Sequence, residues 1–129
     1  MNRAGADLSD CSFWWIDLEG ANLQGTNFAG ADVRWVDFDG ANLTGADFTG
    51  ARLTGADFRD ADLTGVVFDD ASLLFVTLQR SFGGDVSIAN ASLYRANFTD
   101  STITPLNPEQ GVFNETTCPD GTQQDDPCW

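Results

Sequence analysis

The sequence predicts an all-β chain of very short extended pieces joined by tight turns, repeated every five residues. Three observations predict it. A large apolar residue recurs at every fifth position from Leu8 to Leu78, and again from Ile88 to Ile103. A small or β-branched residue stands two positions before each, as at Ala21, Ala31, Val36 and Ala41. Glycine returns two positions after many of them, at Gly20, Gly25, Gly30, Gly40, Gly45, Gly50, Gly55 and Gly65.

A period of five excludes either regular element alone. A helix needs apolar spacing near 3.6 and a strand needs 2, and each glycine inside a helix costs about 1 kcal/mol relative to Ala. Two inward residues separated by one outward residue match strand alternation. The remaining two turn a corner, where Gly eases an unusual φ/ψ. The pattern departs from itself once, at Ser81-Phe82-Gly83-Gly84-Asp85, where Gly83 occupies a large apolar position. The phase is the same on both sides, so one distorted side with Phe82 swinging inward is expected, in preference to five extruded residues.

The chain has 129 residues, enough for one domain. Acids outnumber bases 20 to 6, every base is Arg, and the formal charge is −14. Nucleic acid and anionic membrane surfaces repel such a polyanion, so neither is an expected direct partner. Histidine is absent, which removes the usual general base and the commonest metal ligand. Glycines recur as corner punctuation, not as a phosphate loop, and the carboxylates form a regular series outside any cleft. A non-enzymatic protein without cofactor or metal is expected. No apolar run reaches the roughly 20 residues that span a bilayer. Met1-Asn2-Arg3 leads straight into patterned sequence, which predicts a cytoplasmic protein; a removed leader would place it in the periplasm or thylakoid lumen.

The recurring Gly-Ala-Asp-Leu, Gly-Ala-Asn-Leu and Gly-Ala-Asp-Phe segments resemble the pentapeptide-repeat family, whose motif is Ala-(Asp/Asn)-Leu-x-x; the likeness runs from Ala6 to about Pro105. The resemblance implies a right-handed quadrilateral β-helix with four pentapeptides per coil and about five coils here. It divides the chain into a β-helix over 1–105 and a C-terminal capping tail over 106–129. Pro105, Pro108, Pro119 and Pro127 interrupt the tail, and Phe113 to Thr122 is similar to the closing segment of bacterial family members. Cys118 and Cys128 flank a short polar loop; the spacing suits a local disulfide more than a zinc site, and in a reducing cytosol the pair would remain two free thiols.

Twenty residues per coil lets the surface be read in columns. Inward columns Leu8-Phe28-Phe48-Phe68-Ile88 and Leu18-Phe38-Phe58-Leu78-Phe98 gather the phenylalanines on two opposite sides. Cys11 occupies an inward small position and is expected to be a buried thiol. One outward face carries Asp17, Glu19, Asp37, Asp39, Asp57 and Asp60. It could attract a cationic partner or loosely held divalent ions, or serve only as a solvated surface. One corner carries Trp14, Trp15, Arg34, Trp35, Leu74, Phe75, Tyr94 and Arg95. Large aromatics where the motif places polar residues and Gly point to a protein-partner or homodimer face. The opposing expectation is that the tail folds back and covers them with Trp129 or Phe113.

The leading expectation is a repeat scaffold, monomer or homodimer, that binds a protein partner through an exposed face. The resemblance implies a second reading, an acidic DNA mimic that binds a DNA-handling enzyme such as gyrase. A third is a structural or stress-related protein of the lumen or periplasm.

Overall fold

The computed structural model describes residues 2–129. Its backbone is one β-helix in which residues twenty apart are bridged in parallel. Four ladders run along it: Asp7-Asn27-Asp47-Val67-Ser87, Ser12-Asp32-Arg52-Ser72-Ser92-Val112, Asp17-Asp37-Asp57-Thr77-Asn97-Thr117, and Asn2-Asn22-Asn42-Asp62-Phe82. Each extended piece is too short for a conventional strand, and the hydrogen bonds pass between successive rungs. Leu8 N–H donates to Asn27 at 2.8 Å, and Asn27 N–H donates back to Ala6 at 2.9 Å. This alternation is the parallel-sheet pattern carried by single residues.

The corners explain the pentapeptide. Ala21 N–H donates to the Leu18 carbonyl at 3.0 Å, closing a four-residue turn, and Gly20 takes φ +61°. The Asp17 carboxylate accepts the Glu19 N–H at 2.9 Å. Asn22, Asn27, Asp37, Asn42, Asp47, Asp57 and Asp62 each accept the N–H two residues on in the same way. The Asp/Asn of the motif is thus a turn acceptor, satisfying a backbone donor that the short strand leaves free.

The core lies inside the ladders and is dominated by phenylalanine. Phe28 stacks on Phe48 with ring centroids 4.6 Å apart, and Phe48 on Phe68 at 5.4 Å. Phe38 stacks on Phe58 at 4.9 Å. The two columns meet edge to face across the interior, with Phe38 against Phe48 at 5.9 Å and 82°. Each of Phe28, Phe38, Phe48, Phe58 and Phe68 therefore has a stacked neighbour along the axis and a perpendicular one across it, each pair contributing roughly 0.5–1.5 kcal/mol beyond area burial. At two small inward positions that are polar, the hydroxyl bonds a carbonyl: Thr26 reaches Arg3 at 2.9 Å and Ser81 reaches Leu78 at 2.6 Å; the buried Ser101 hydroxyl has no partner among the described residues.

The Gly83 segment is distorted and not looped out, because Asp62 bridges Phe82 and Val67 bridges Ser87 at the usual spacing. Here the corner straightens into β1 (Phe82–Val86), paired in parallel with β2 (Thr102–Pro105), with an irregularity between Gly84 and Val86. Phe82 does not swing inward. It is exposed, in ladder register with Asp62. The backbone fills the space instead: Gly83 packs so closely on Leu63–Thr64 that a methyl there would overlap the Thr64 backbone nitrogen.

The two ends differ. After β2 a 3-10 turn, Pro108–Gln110, leads back onto the last rung. Val112 and Thr117 bridge Ser92 and Asn97, and Phe113 and Cys118 are buried. A small antiparallel pair follows, β3 (Thr116–Thr117) with β4 (Gln123–Gln124). Cys118 and Cys128 form a disulfide, and Trp129 stands edge-on to Phe98 at 5.0 Å. At the other end Leu8 and Phe13 are only partly buried, and a hollow of about 250 Å³ is lined by Arg3, Leu8, Phe13, Ile16, Leu18 and Leu23. Cys11 is exposed, contrary to its inward register. Its burial would require a rung on its outer side, and among the described residues none stacks there.

Candidate interaction face

Backbone geometry singles out one corner. Every fifth residue adopts left-handed φ, and Gly, Asp or Asn holds most of these positions. Trp15, Trp35 and Phe75 hold three of them, at φ 59°, 60° and 57°. A bulky side chain in left-handed backbone costs roughly 1–2 kcal/mol, so turn formation does not account for these residues. All three fall in one column, with Gly55 between Trp35 and Phe75.

The column carries two aromatic pairs, one on either side of Gly55. Trp15 and Trp35 stack with centroids 5.2 Å apart and planes within 6°. The Trp35 indole lies over Gly55, where a methyl would overlap it. Phe75 stands edge-on to Tyr94 at 5.3 Å. The rings are solvent-facing: Trp15 is 74% exposed, Trp14 52%, and Trp35 and Phe75 just under half. Leu74 and Tyr94 are half-buried beside them. Trp129 packs at the C-terminal end on Phe98 and Phe113, so the tail does not cover this face.

The arginines frame the rings while held by acids. Arg34 lies 5.0 Å over the Trp14 ring and makes a two-pronged bond to Asp32, at 2.7 and 2.9 Å. That bond, with Arg34 and Arg52 charge, holds the Asp32 carboxyl below its usual range. Arg95 lies 5.3 Å over Tyr94 and pairs with Glu115, which raises the guanidinium further. Both cations are thus neutralised beside the aromatics.

The acidic face adjoins the stripe, since Asp17, Asp37 and Asp57 follow Trp15, Trp35 and Gly55 by two residues and bridge one another in sequence. Much of its charge is already engaged. Arg59 pairs with Asp57 at 2.6 Å and reaches Asp39 at 3.9 Å. Arg80 makes a two-pronged bond to Asp60, on the corner beyond, and that bond keeps the Asp60 carboxyl below its usual range. Glu19 is exposed, and neither it, Asp17 nor Asp37 has an ion-pair partner among the described residues. Among those residues no cluster of three or more Cys, Asp or Glu is placed to hold a metal ion.

A family model described as pentapeptide repeats matches residues 6–45 and 46–82. The chain belongs to the pentapeptide-repeat family. No curated protein matches it. Among solved structures it is similar to a pentapeptide-repeat protein from the Arabidopsis thaliana thylakoid lumen, at 34% identity over 77% of this chain and TM-score 0.66. The match spans 66% of that protein's own length. The plasmid-mediated fluoroquinolone resistance protein QnrB1 aligns at 18% identity over 88% of this chain and 73% of its own, with TM-score 0.42. HetL of the cyanobacterium Nostoc sp. strain PCC 7120, a pentapeptide-repeat protein involved in heterocyst differentiation regulation, aligns at 20% identity over 95% and 76%, with TM-score 0.27. Family membership accounts for the ladders, the Phe core and the Asp/Asn turn acceptors. It does not account for tryptophan in left-handed corners.

The aromatics and acids stand on columns set by the twenty-residue spacing, and the acids Asp17, Asp37 and Asp57 double as turn acceptors, a role not among the expectations. The signal was present in the exchange of Asp for Asn at one motif position, as between Asp37 and Asn42. Pure charge function would not tolerate that exchange, whereas hydrogen-bond acceptance does.

Proposed function

We propose that this pentapeptide-repeat protein is a non-enzymatic scaffold that binds a protein partner through the corner formed by Trp14, Trp15, Arg34, Trp35, Leu74, Phe75, Tyr94 and Arg95. The single observation that carries the reading is an exposed aromatic column in strained backbone. Exposed aromatic clusters mark interfaces, where ring burial supplies most of the energy. The reading takes the solenoid as right-handed and four-sided, with about five coils of four pentapeptides; bridges at a spacing of twenty support that geometry. It takes residues 106–129 as a cap that closes the C-terminal end of the core, for which the packing of Trp129 speaks. The test compares partners captured from native lysate by the wild type and by a Trp15→Ala/Trp35→Ala/Phe75→Ala variant. A partner lost with the variant and rebinding as a purified protein is expected. An unchanged partner set and oligomeric state overturns the reading.

An oxidising compartment, periplasm or thylakoid lumen, is the second part of the proposal. The Cys118–Cys128 disulfide supports it, because such bonds do not persist in a reducing cytosol. So does the 34% identity to a thylakoid lumen protein. Alkylation and mass spectrometry of protein taken directly from its source should find Cys118 and Cys128 protected until reductant is added. Two freely alkylated thiols would return the protein to the cytosol.

A further inference from the structure

We infer that the partner segment seated on the aromatic column is a cationic amphipathic helix, with apolar side chains on the rings and Lys or Arg on the flank toward Asp17 and Asp37. This inference rests on the partner-face reading above and adds the chemistry of the partner.

Pitch is the first argument. The column repeats once per rung, at the roughly 4.8 Å spacing of neighbouring β-strands. A helix repeats one face once per turn, at about 5.4 Å. Over three rungs the two repeats stay within about 2 Å, so successive turns of a helix laid along the rod meet successive corners. An extended strand places same-face residues about 6.8 Å apart and loses register sooner.

Charge is the second argument. Arg34 and Arg95 are bound to Asp32 and Glu115, and Arg52, largely exposed, shares Asp32 at 3.7 Å, so any spare positive charge lies on this border and the unpaired acids lie on the other. On the other border Asp17 and Asp37 follow the tryptophans by two residues and lack ion-pair partners among the described residues. The molecule as a whole carries −14. A partner with Lys or Arg beside its apolar face is attracted at long range and pairs at that border, whereas an acidic one is repelled from both.

The test uses the whole protein and three designed helical peptides of equal length with the same Leu face, carrying Lys, Gln or Glu elsewhere. Binding is followed by tryptophan fluorescence and calorimetry at two salt concentrations. The Lys peptide should bind at least tenfold tighter than the Gln peptide and more weakly as salt rises. Binding should fall at least tenfold in Trp15→Ser/Trp35→Ser and severalfold in Asp17→Asn/Asp37→Asn. Asn keeps the turn acceptor, as Asn22 and Asn42 do, so the latter variant remains folded. Asp47→Asn/Asp62→Asn removes the same charge from other ladders and should bind as wild type does. Equal losses in both Asn variants would mean general attraction to a polyanion and overturn the inference. Trp-dependent binding of the Gln or Glu peptide as tight as that of the Lys peptide would overturn the cationic assignment while leaving the partner face standing. No binding of any peptide at millimolar concentration would overturn the helix, and lysate capture then decides the partner face separately.

Discussion

The left-handed corner residue is the point at which each rung either conforms to the fold or departs from it. Gly55 and Gly45 occupy equivalent corners, at φ +70° and +68°, but only Gly55 lies beneath an indole. Gly45→Ala meets no atom within 4 Å and pays the backbone term alone, roughly 1 kcal/mol. Gly55→Ala pays the same term and must also push the Trp35 ring aside. It should lose clearly more stability in urea and alter tryptophan emission, while Gly45→Ala leaves emission unchanged. Equal losses with unchanged emission would show that the ring does not rest there. The turn acceptor gives a second residue-scale prediction. Asp47 accepts both the N–H and the hydroxyl of Thr49, at 2.8 and 2.6 Å. Asp47→Asn should be nearly neutral, and Asp47→Ala should cost about 1 kcal/mol for the backbone donor left without its partner.

Rungs are the elements of this molecule, and their stability comes from neighbours. Phe48 is fully buried, stacked between Phe28 and Phe68 and edge-on to Phe38 and Phe58. Phe48→Ala should cost about 3–5 kcal/mol, read from the urea midpoint. Phe13→Ala, at the partly covered first rung, should cost less than half as much; parity would mean that stacking is not the source. The same dependence on neighbours sets what the sequence discloses. The Phe28–Phe48 and Trp15–Trp35 contacts were legible because a fixed five-residue step, repeated four times, returns each residue to its own column. Exposure of Cys11 was not legible, because register fixes the direction of a side chain and burial requires a rung beyond it. Outward placement of Phe82 was hidden for another reason. Ladder register keeps Phe82 over Asp62, and with no side chain at Gly83 the backbone itself closes on Thr64, leaving no interior space for the ring. The C-terminal end depends on a covalent clip. Cys118→Ser/Cys128→Ser should lower stability by roughly 2–3 kcal/mol for a closure of about ten residues, and should loosen Trp129 from Phe98, visible as a change in emission.

At the scale of the whole molecule, charge sets how stability responds to pH. Histidine is absent from a chain carrying −14, so no side chain with an ordinary pKa between 5 and 8 is present to couple folding to protons in that range. The carboxyls of Asp7, Asp32, Asp60 and Asp120 are held below their ordinary 3.8 in the folded protein, by hydrogen bonds from Ser9, Arg34, Arg80 and Thr122 respectively. A depressed folded pKa means that the unfolded chain binds protons first as the pH falls. The stability these groups contribute is therefore complete above about pH 5 and is lost as the pH drops through 3.8 toward the folded values. Relief of self-repulsion acts in the opposite sense over the same range, because protonating exposed acids lowers the net charge. The two effects separate with salt. Salt screens the repulsion between exposed carboxylates and weakens the Arg pairs of Asp32 and Asp60, but leaves intact the short turn bonds to Asp7 and Asp120. The thermal midpoint should thus be level from pH 5.5 to 8, rise by a few degrees with added salt across that plateau, and fall below pH 4 at high salt, where little repulsion remains to be relieved. Melts at low and high ionic strength across this range test the argument. A midpoint that slopes between pH 5.5 and 8, or that holds below pH 4 at high salt, would mean that the hydrogen-bonded carboxyls do not carry the acid limb.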